Sequence, residues 1–89
     1  MDVEYDAEKD ARNQRERGLP LALGAVVIAD ARASGAVFED TRHAYAERRF
    51  IAYGKVDGRL MVCVFTPRGE RDRVISLRKA NARERAEHG

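Results

Sequence analysis

The sequence predicts an α+β domain with two N-terminal helices, an antiparallel β-meander of three to four strands and a short C-terminal helix. Residues 7–17 lie between residues that favour the start and the end of a helix. Asp57-Gly58 separates two apolar segments, which is a strong signal for a β-hairpin. Asn81 and Glu84 have the spacing of a capping box, so a last helix is predicted to begin near residue 82. With 89 residues, of which 44% are hydrophobic, the chain is expected to form one domain over residues 1–89.

The first helix is predicted from its ends. Asp6 is a favoured N-cap residue and Gly18 is a favoured residue just past a helix C-terminus. Between them, the apolar face consists of little more than Ala7 and Ala11. A helix with so narrow an apolar face is expected on the surface of the domain and not through its centre.

The second helix is predicted over residues 21–29, with Pro20 at its first position. This segment is apolar nearly all round, which favours a helix buried in the core. The alternative interpretation of the same apolar surface is a hydrophobic binding site.

The strands are predicted from apolar and β-branched segments. Short strands are expected at 3–5 and 36–38, a loop at 39–46, longer strands at 49–54, 60–65 and 71–77, and a turn at 66–69. Residues 60–65 are six consecutive apolar residues, as expected of a central strand that is buried on both faces.

Charge is distributed unevenly along the chain. Residues 1–46 hold nine acidic and six basic side chains, and residues 47–89 hold six acidic and eleven basic ones, which together give the net charge of +2. A basic half favours a polyanionic partner such as nucleic acid, and the simpler interpretation is a solvated surface of mixed charge.

Several classes of protein are disfavoured. The longest apolar run, residues 19–29, is too short to span a bilayer, and the acidic N-terminus has no signal-peptide pattern. One cysteine, Cys63, cannot form an internal disulfide and, in the most apolar strand, is expected to be a small buried hydrophobe. The expected location is therefore the cytoplasm.

The residues that remain suit phosphate chemistry. His43 and His88 stand far apart and no metal-ligand spacing is present, so no metal site and no cofactor are predicted. Ser76 lies within a predicted strand without an adjacent base, which makes a serine nucleophile improbable. Cations concentrate where the last strand meets the last helix. They are Arg73, Arg78, Lys79, Arg83 and Arg85. Arginine binds phosphate in a bidentate manner and stabilises the charge that develops on it during transfer.

Three segments, in order, resemble the BrnT toxins, which are ribonucleases of the RelE-like superfamily in type II toxin–antitoxin pairs. The segments are Tyr5-Asp6-Ala7-Glu8-Lys9 with Asn13, Glu47-Arg48-Arg49-Phe50-Ile51-Ala52-Tyr53-Gly54, and Arg73-Val74-Ile75-Ser76-Leu77-Arg78-Lys79-Ala80 followed by Arg83-Glu84-Arg85. Two positions depart from the family pattern. Glu16-Arg17-Gly18 stands where the family usually has Lys-His-Gly, and His88 stands where an aromatic residue, usually tyrosine, follows the terminal Glu-Arg.

The resemblance implies a RelE-like fold and a metal-independent endoribonuclease that inhibits translation by cleaving RNA through attack of a 2′-hydroxyl. It also implies a cognate antitoxin with a ribbon-helix-helix domain, a complex of two toxins and two antitoxins, and contact with operator DNA only through the antitoxin. No membrane partner is implied.

The candidate site residues follow from the basic second half and from the resemblance. The catalytic candidates are Arg49, Arg73, Arg78, Glu47 and His88, and the RNA-binding candidates are Lys79, Arg83 and Arg17. The arginines could instead form surface ion pairs with Glu47, Glu70 or Asp72, and Glu84 is expected to be a capping residue. Arg73 and Arg78 are five positions apart, so a regular strand would direct them to opposite faces, and they converge only if the strand bends or ends before Arg78.

Two further functions stay open. Because Arg17 and His88 depart from the family pattern, the first alternative is a protein-binding module of the same fold that is catalytically weak or inactive and engages an antitoxin in autoregulation. A nucleic-acid binder without catalysis is also possible, and its affinity would fall strongly with salt. Few aromatic residues lie in the basic half, which disfavours a platform for stacking bases.

Overall fold

The computed structural model describes residues 3–89 and contains three α-helices and a five-stranded mixed sheet. The elements in chain order are β1 (Val3–Glu4), α1 (Ala7–Arg17), a 3₁₀ turn (Leu21–Leu23), α2 (Gly24–Ser34), β2 (Val37–Glu39), β3 (Phe50–Val56), β4 (Arg59–Arg68), β5 (Arg71–Lys79) and α3 (Ala82–His88). The strand order across the sheet is β1-β5-β4-β3-β2. Among these described residues, no helix is both long and apolar enough to cross a membrane.

The predicted α+β class and antiparallel meander are confirmed, with one addition at the edge of the sheet. β3, β4 and β5 pair antiparallel, and β2 extends the meander at one edge. At the other edge β1 pairs parallel with β5, Val3 opposite Asp72 and Glu4 opposite Arg73. The sheet has five strands and the predicted meander three to four, because the short strand predicted at 3–5 joins the sheet by pairing with a segment far away in the sequence.

Helix α1 has the predicted bounds because both of its ends are specified locally. The Asp6 carboxylate accepts a hydrogen bond from the backbone N–H of Lys9, and Gly18 adopts the left-handed conformation that ends the helix. The helix lies on the surface, as expected, and buries one polar residue, Asn13.

The second helix differs from the prediction at both ends. Residues 21–23 form a 3₁₀ turn, with Pro20 just before it and not at its first position, and the α-helix runs from Gly24 to Ser34, five residues beyond the predicted end. Residues 30–34 have no apolar period because most of them face solvent, and the left-handed Gly35 ends the helix.

Two tight turns join the long strands. Asp57 and Gly58 both have positive φ, as a type I′ turn requires, which confirms the first predicted hairpin. The predicted turn at 66–69 was wrong, because β4 continues to Arg68 and the turn is formed by Gly69 and the next residue. Pro67 is tolerated there because it lies beyond the last pair between β4 and β3.

The two faces of the sheet differ. One face carries the main core, in which Val27 and Ile28 of α2 pack against Cys63, Phe65 and Leu77. The other face has a smaller cluster of buried residues, Leu60, Val62 and Ala80, with Ile51 and Tyr53 packed against it. We call this second side the open face, because of the helices only α3 lies over it, at one end.

A β-bulge in β5 decides which arginines reach the open face. Val64 pairs with Ser76, but the next residue of β4, Phe65, pairs with Val74, so Ile75 is an extra residue in β5. The extra residue shifts the alternation of side chains, and Arg73 and Arg78 consequently lie on the same face, opposite Thr66 and Val62. The bulge is the irregularity in the strand that puts the two arginines on one face, although they do not share a pocket.

Candidate active site

A polar pocket of about 280 Å³ lies at one end of the open face and contains three of the predicted catalytic residues. Its lining is Lys9, Glu47, Arg49, Thr66, Pro67, Arg68, Arg73 and Ile75. We call it the anion pocket, because four of these side chains are cationic and only Glu47 is anionic. Arginine and lysine side chains that converge in this way favour the binding of a phosphate group.

The arginines of the anion pocket are oriented by weak contacts. Arg49 Nε lies 3.4 Å from Glu47 Oε1, and its guanidinium lies over the ring of Tyr45, 4.2 Å from the ring centre. Arg73 Nη1 lies 3.9 Å from the Glu4 carboxylate. Neither arginine makes a short bidentate pair here, so each keeps N–H groups for a phosphate.

Glu47 is placed by a structured loop that links β2 to β3. At its start, the buried carboxylate of Asp40 accepts two hydrogen bonds from the guanidinium of Arg42, at 2.8 and 2.9 Å, and one from the Tyr45 hydroxyl. The bonds from Arg42 hold the pKa of Asp40 well below its usual range. At the end of the loop the Thr66 hydroxyl donates to the carbonyl of Arg48 at 2.6 Å. The loop therefore has fixed ends, which sequence analysis missed because residues 39–46 show no period.

Arg78 lies in a different setting from Arg73. Both of its terminal nitrogens donate to the carboxylate of Glu84, each at 2.7 Å. Glu84 also completes the predicted capping box with Asn81, which is thereby confirmed. The bond from Arg78 lowers the pKa of Glu84 to about 2, so this carboxylate stays ionised at neutral pH and is a poor proton acceptor.

His88 belongs to an aromatic cluster beside Arg78. Its ring stacks on Tyr53 with 3.9 Å between ring centres, and Phe38 lies 5.7 Å from His88 and 6.1 Å from Tyr53. Burial raises the pKa of Tyr53 above its ordinary value. The sequence did not identify this cluster, because its members come from β2, β3 and α3, and only their meeting across the sheet makes them a unit.

The two arginines do not line one pocket, because Arg73 lines the anion pocket whereas Arg78 is held by Glu84. Thr66 and Val62, the partners of Arg73 and Arg78, are four residues apart on β4, which corresponds to about 13 Å along the strand. The predicted catalytic residues accordingly fall into two groups. Glu47, Arg49 and Arg73 line the anion pocket, whereas Arg78 and His88 lie at the far end of the open face.

The three predicted RNA-binding residues lie in three different places. Lys79 lines a separate pocket with Arg59 and Arg85. Arg83 is exposed and pairs with Glu87 at 3.2 Å. Arg17 lines a groove between α1 and β5 that adjoins the anion pocket.

Other groups with possible reactivity are accounted for by packing. Burial raises the pKa of the Cys63 thiol to about 12, so it carries no thiolate at neutral pH. Asp72, offered above as a partner for the arginines of the site, points to the other face and forms a bidentate pair with Arg32 of α2. Within residues 3–89, no three His, Cys, Asp or Glu side chains are grouped so that they could hold a metal ion.

Comparison with protein families identifies one match. A family model described as the ribonuclease toxin BrnT of type II toxin–antitoxin systems matches residues 5–84. That span includes the anion pocket, the bulge and the Arg78–Glu84 pair, and it stops short of His88. Neither the curated proteins nor the solved structures give a match.

Proposed function

The chain belongs to the BrnT family of ribonuclease toxins of type II toxin–antitoxin systems, and we propose that it cleaves single-stranded RNA at the anion pocket without a metal ion. One observation carries this assignment. The bulge at Ile75 turns Arg73 to the open face, where it lines one pocket with Arg49 and Glu47. A carboxylate and two guanidinium groups around one cavity are the groups that cleavage by a 2′-hydroxyl requires.

In the proposed reaction the scissile phosphate binds Arg49 and Arg73. Glu47 takes the proton of the 2′-hydroxyl, whose oxygen then attacks phosphorus while the bond from phosphorus to the 5′ oxygen breaks. Lys9 is the ammonium group of the pocket and gives a proton to the departing oxygen. The products are a 2′,3′-cyclic phosphate and a free 5′-hydroxyl. The guanidinium groups stabilise the negative charge that builds on the phosphate oxygens, the role that a bound cation has in other nucleases.

Arg78 and His88 have a different role in this proposal. Neither lines the anion pocket and Arg78 is held by Glu84, so in this proposal they contact a neighbouring part of the RNA strand. The Arg78–Glu84 pair fixes the strand–helix corner, and the Tyr53–His88 stack presents an aromatic surface next to it. Single-stranded RNA is commonly bound by this combination of cations and rings.

The first experiment is the cleavage of a synthetic single-stranded RNA by the purified chain in the presence of EDTA. We expect the Glu47→Gln variant to lose about 10²–10⁴-fold in kcat, which is the usual contribution of one general base. Arg73→Ala should also lose most of the rate, and Arg59→Ala, an exposed arginine outside the anion pocket, should cleave as the parent does. RNA with a 2′-deoxy sugar at the cleaved position should resist the parent.

Two results would contradict the proposal. Undiminished cleavage by a folded Glu47→Gln or Arg73→Ala variant would place the reaction elsewhere. No cleavage by the folded parent, with or without ribosomes, would favour an inactive module that engages an antitoxin. Melting transitions of all variants are compared first, so that a loss of fold is not taken for a loss of chemistry.

A type II toxin family implies an antitoxin as partner and RNA as target. We propose a ribbon-helix-helix antitoxin, a complex with two copies of each chain, and contact with operator DNA through the antitoxin alone. The mass of the purified complex, with and without operator DNA, measures this stoichiometry. A toxin that shifts operator DNA without antitoxin would contradict the last point.

A further inference from the structure

A second cationic surface adjoins the anion pocket. A groove of about 260 Å³ runs between α1 and β5 and is lined by Lys9, Arg12, Asn13, Glu16, Arg17, Ile75 and Ser76. Lys9 and Ile75 also line the anion pocket, so the two cavities are direct neighbours. We call this second cavity the α1 groove.

The cations of the α1 groove form a row. Lys9, Arg12 and Arg17 follow one another along the axis of α1 and line the same groove, with Arg12 and Arg17 about 140° apart around the helix and Glu16 between them. Eight residues of helix separate Lys9 from Arg17, a length of about 12 Å. The row begins at the anion pocket and leads away from it along the outer edge of β5.

The charges in this row are not neutralised by the protein. Within residues 3–89, neither Lys9 nor Arg12 has a carboxylate in salt-bridge contact with its side chain, whereas Arg49, Arg73 and Arg78 each have one. The α1 groove holds three cations and one carboxylate, Glu16, which leaves an excess of two positive charges. Cations that face one another in a cavity repel, and a bound anion removes that cost.

Arg17 is also oriented in advance. Its Nη1 donates to Asn13 Oδ1 at 3.4 Å and lies 3.5 Å from the carbonyl oxygen of Leu77. Asn13 is itself buried and held by bonds to Leu19 and Leu77. The guanidinium is therefore held beside Asn13 in the lining of the α1 groove, and ordering it on a ligand costs less side-chain entropy.

We propose that the α1 groove is a second phosphate subsite, in which Arg12 and Arg17 bind the phosphate next to the scissile one. This inference rests on the proposed function, because it takes the scissile phosphate to lie in the anion pocket. Lys9 lines both cavities and serves the scissile phosphate, as in the proposed function. A single row of cations fits one nucleic-acid strand, so the substrate is single-stranded RNA with at least one further phosphate on that side of the cleaved bond.

The test measures binding and not cleavage, so that it does not depend on the catalytic assignment. The probe is a fluorescent single-stranded RNA oligonucleotide with 2′-O-methyl groups throughout, which cannot be cleaved by 2′-hydroxyl attack. We expect Arg12→Ala and Arg17→Ala each to weaken binding and to reduce the slope of log affinity against log salt by about 0.7, the value for one phosphate contact on a single strand. Arg15→Ala is the matched control, because Arg15 lies on the same helix outside the α1 groove and should leave the slope unchanged.

A scan with uncharged linkages locates the subsite. In the parent, a methylphosphonate should weaken binding at the scissile linkage and at one adjacent linkage. In the double variant Arg12→Ala/Arg17→Ala, a methylphosphonate at the adjacent linkage should no longer weaken binding, whereas one at the scissile linkage should still weaken it. The proposal is overturned if a methylphosphonate at the adjacent linkage weakens binding to the double variant as much as to the parent. It is also overturned if Arg15→Ala reduces the slope of log affinity against log salt as much as Arg12→Ala does.

The outcomes also separate this inference from the proposed function. If Glu47→Gln cleaves normally but the linkage scan behaves as expected, the α1 groove binds RNA and the catalytic assignment is wrong. If the double variant binds RNA as the parent does but no longer binds an acidic partner chain, the α1 groove is a protein-binding surface and the inference fails.

Discussion

Arg73 and Arg78 show at the scale of single residues how neighbours decide the role of a side chain. Both lie in β5 and both reach the open face, yet Arg78 is held by two 2.7 Å bonds and Arg73 by one contact of 3.9 Å. The capping role of Glu84 was predictable, because the spacing of a capping box is local. The bond between Glu84 and Arg78 was not predictable from the sequence, because it depends on where α3 lies relative to β5.

The Arg78–Glu84 pair predicts a dependence of stability on pH. The folded pKa of Glu84 is lowered from 4.5 to about 2, so its contribution is fully present above about pH 4.5 and is lost as the pH falls towards 2. The free energy of unfolding of Glu84→Gln should therefore be below that of the parent at pH 6, and the difference should shrink between pH 4.5 and 2. Chemical denaturation at several pH values measures both.

The control for this prediction is Glu87→Gln, also in α3. The Glu87 side chain is 53% exposed and its pair with Arg83 is a surface contact, which typically contributes little to stability. A difference between parent and Glu84→Gln that stays constant down to pH 2 would contradict the assignment of the pKa shift to Arg78.

At the scale of elements, local signals predicted more than non-local ones. Helix α1 has its predicted bounds because Asp6 and Gly18 specify its ends through the backbone next to them. The bulge at Ile75 could not be predicted in the same way, because a β-branched residue fits a regular strand equally well. The bulge brings Arg73 into the anion pocket. The residue types of the site were therefore predictable from the sequence, whereas the grouping of Arg73 with Arg49 and Glu47 in one pocket was not.

The attachment of α1 to the sheet gives a prediction about this element. Among the described residues, β1 pairs with β5 at Asp72 and Arg73, and farther along β5 the Asn13 side chain donates to the carbonyl of Leu77 at 3.0 Å. It also donates to Leu19 at 2.8 Å. We expect Asn13→Ala to lower the free energy of unfolding by about 1–3 kcal/mol, because the Leu19 carbonyl loses this bond and the Leu77 carbonyl keeps only its 3.5 Å contact with Arg17.

The matched control is Gln14→Ala, since Gln14 is the next residue of α1, is exposed and bonds only to Asp10 among described side chains. It should change stability by less than about 0.5 kcal/mol. Equal losses for the two variants, measured by urea unfolding, would mean that α1 is not anchored through Asn13.

At the scale of the whole molecule, α2 and the sheet are in very close contact at Gly54 of β3. A Cβ atom there would overlap the carbonyl oxygen of Val27 and lie 2.9 Å from its carbonyl carbon. The core helix and this strand were both predicted, but with other bounds, since the structure has the α-helix at Gly24–Ser34 and the strand at Phe50–Val56. Their contact explains why position 54 has no side chain. Which face of the sheet α2 covers was not predictable, because the buried strand is apolar on both sides.

This contact predicts that Gly54→Ala is strongly destabilising, by about 3 kcal/mol or more, because backbone atoms of α2 must move. The comparison is Gly24→Ala in α2, where an added Cβ would lie 2.7 Å from a methyl group of Val74. At that position the Val74 side chain can adjust, and alanine is more favourable than glycine in a helix by about 1 kcal/mol. The loss of stability in Gly24→Ala should therefore be smaller than in Gly54→Ala. A melting temperature of Gly54→Ala at or above that of Gly24→Ala would contradict the prediction.

The parallel pair of β1 and β5 has a consequence for the order of folding during synthesis. Val3 pairs with Asp72, which is 69 positions later in the sequence, and Glu4 reaches Arg73 through this pairing. Contacts between such distant segments carry the largest loop-closure cost and cannot form until β5 has left the ribosome. Arg73, which lines the anion pocket, emerges in that same late segment. A nascent chain therefore has no assembled anion pocket until β5 has left the ribosome, however long before that its first strand and helix were made.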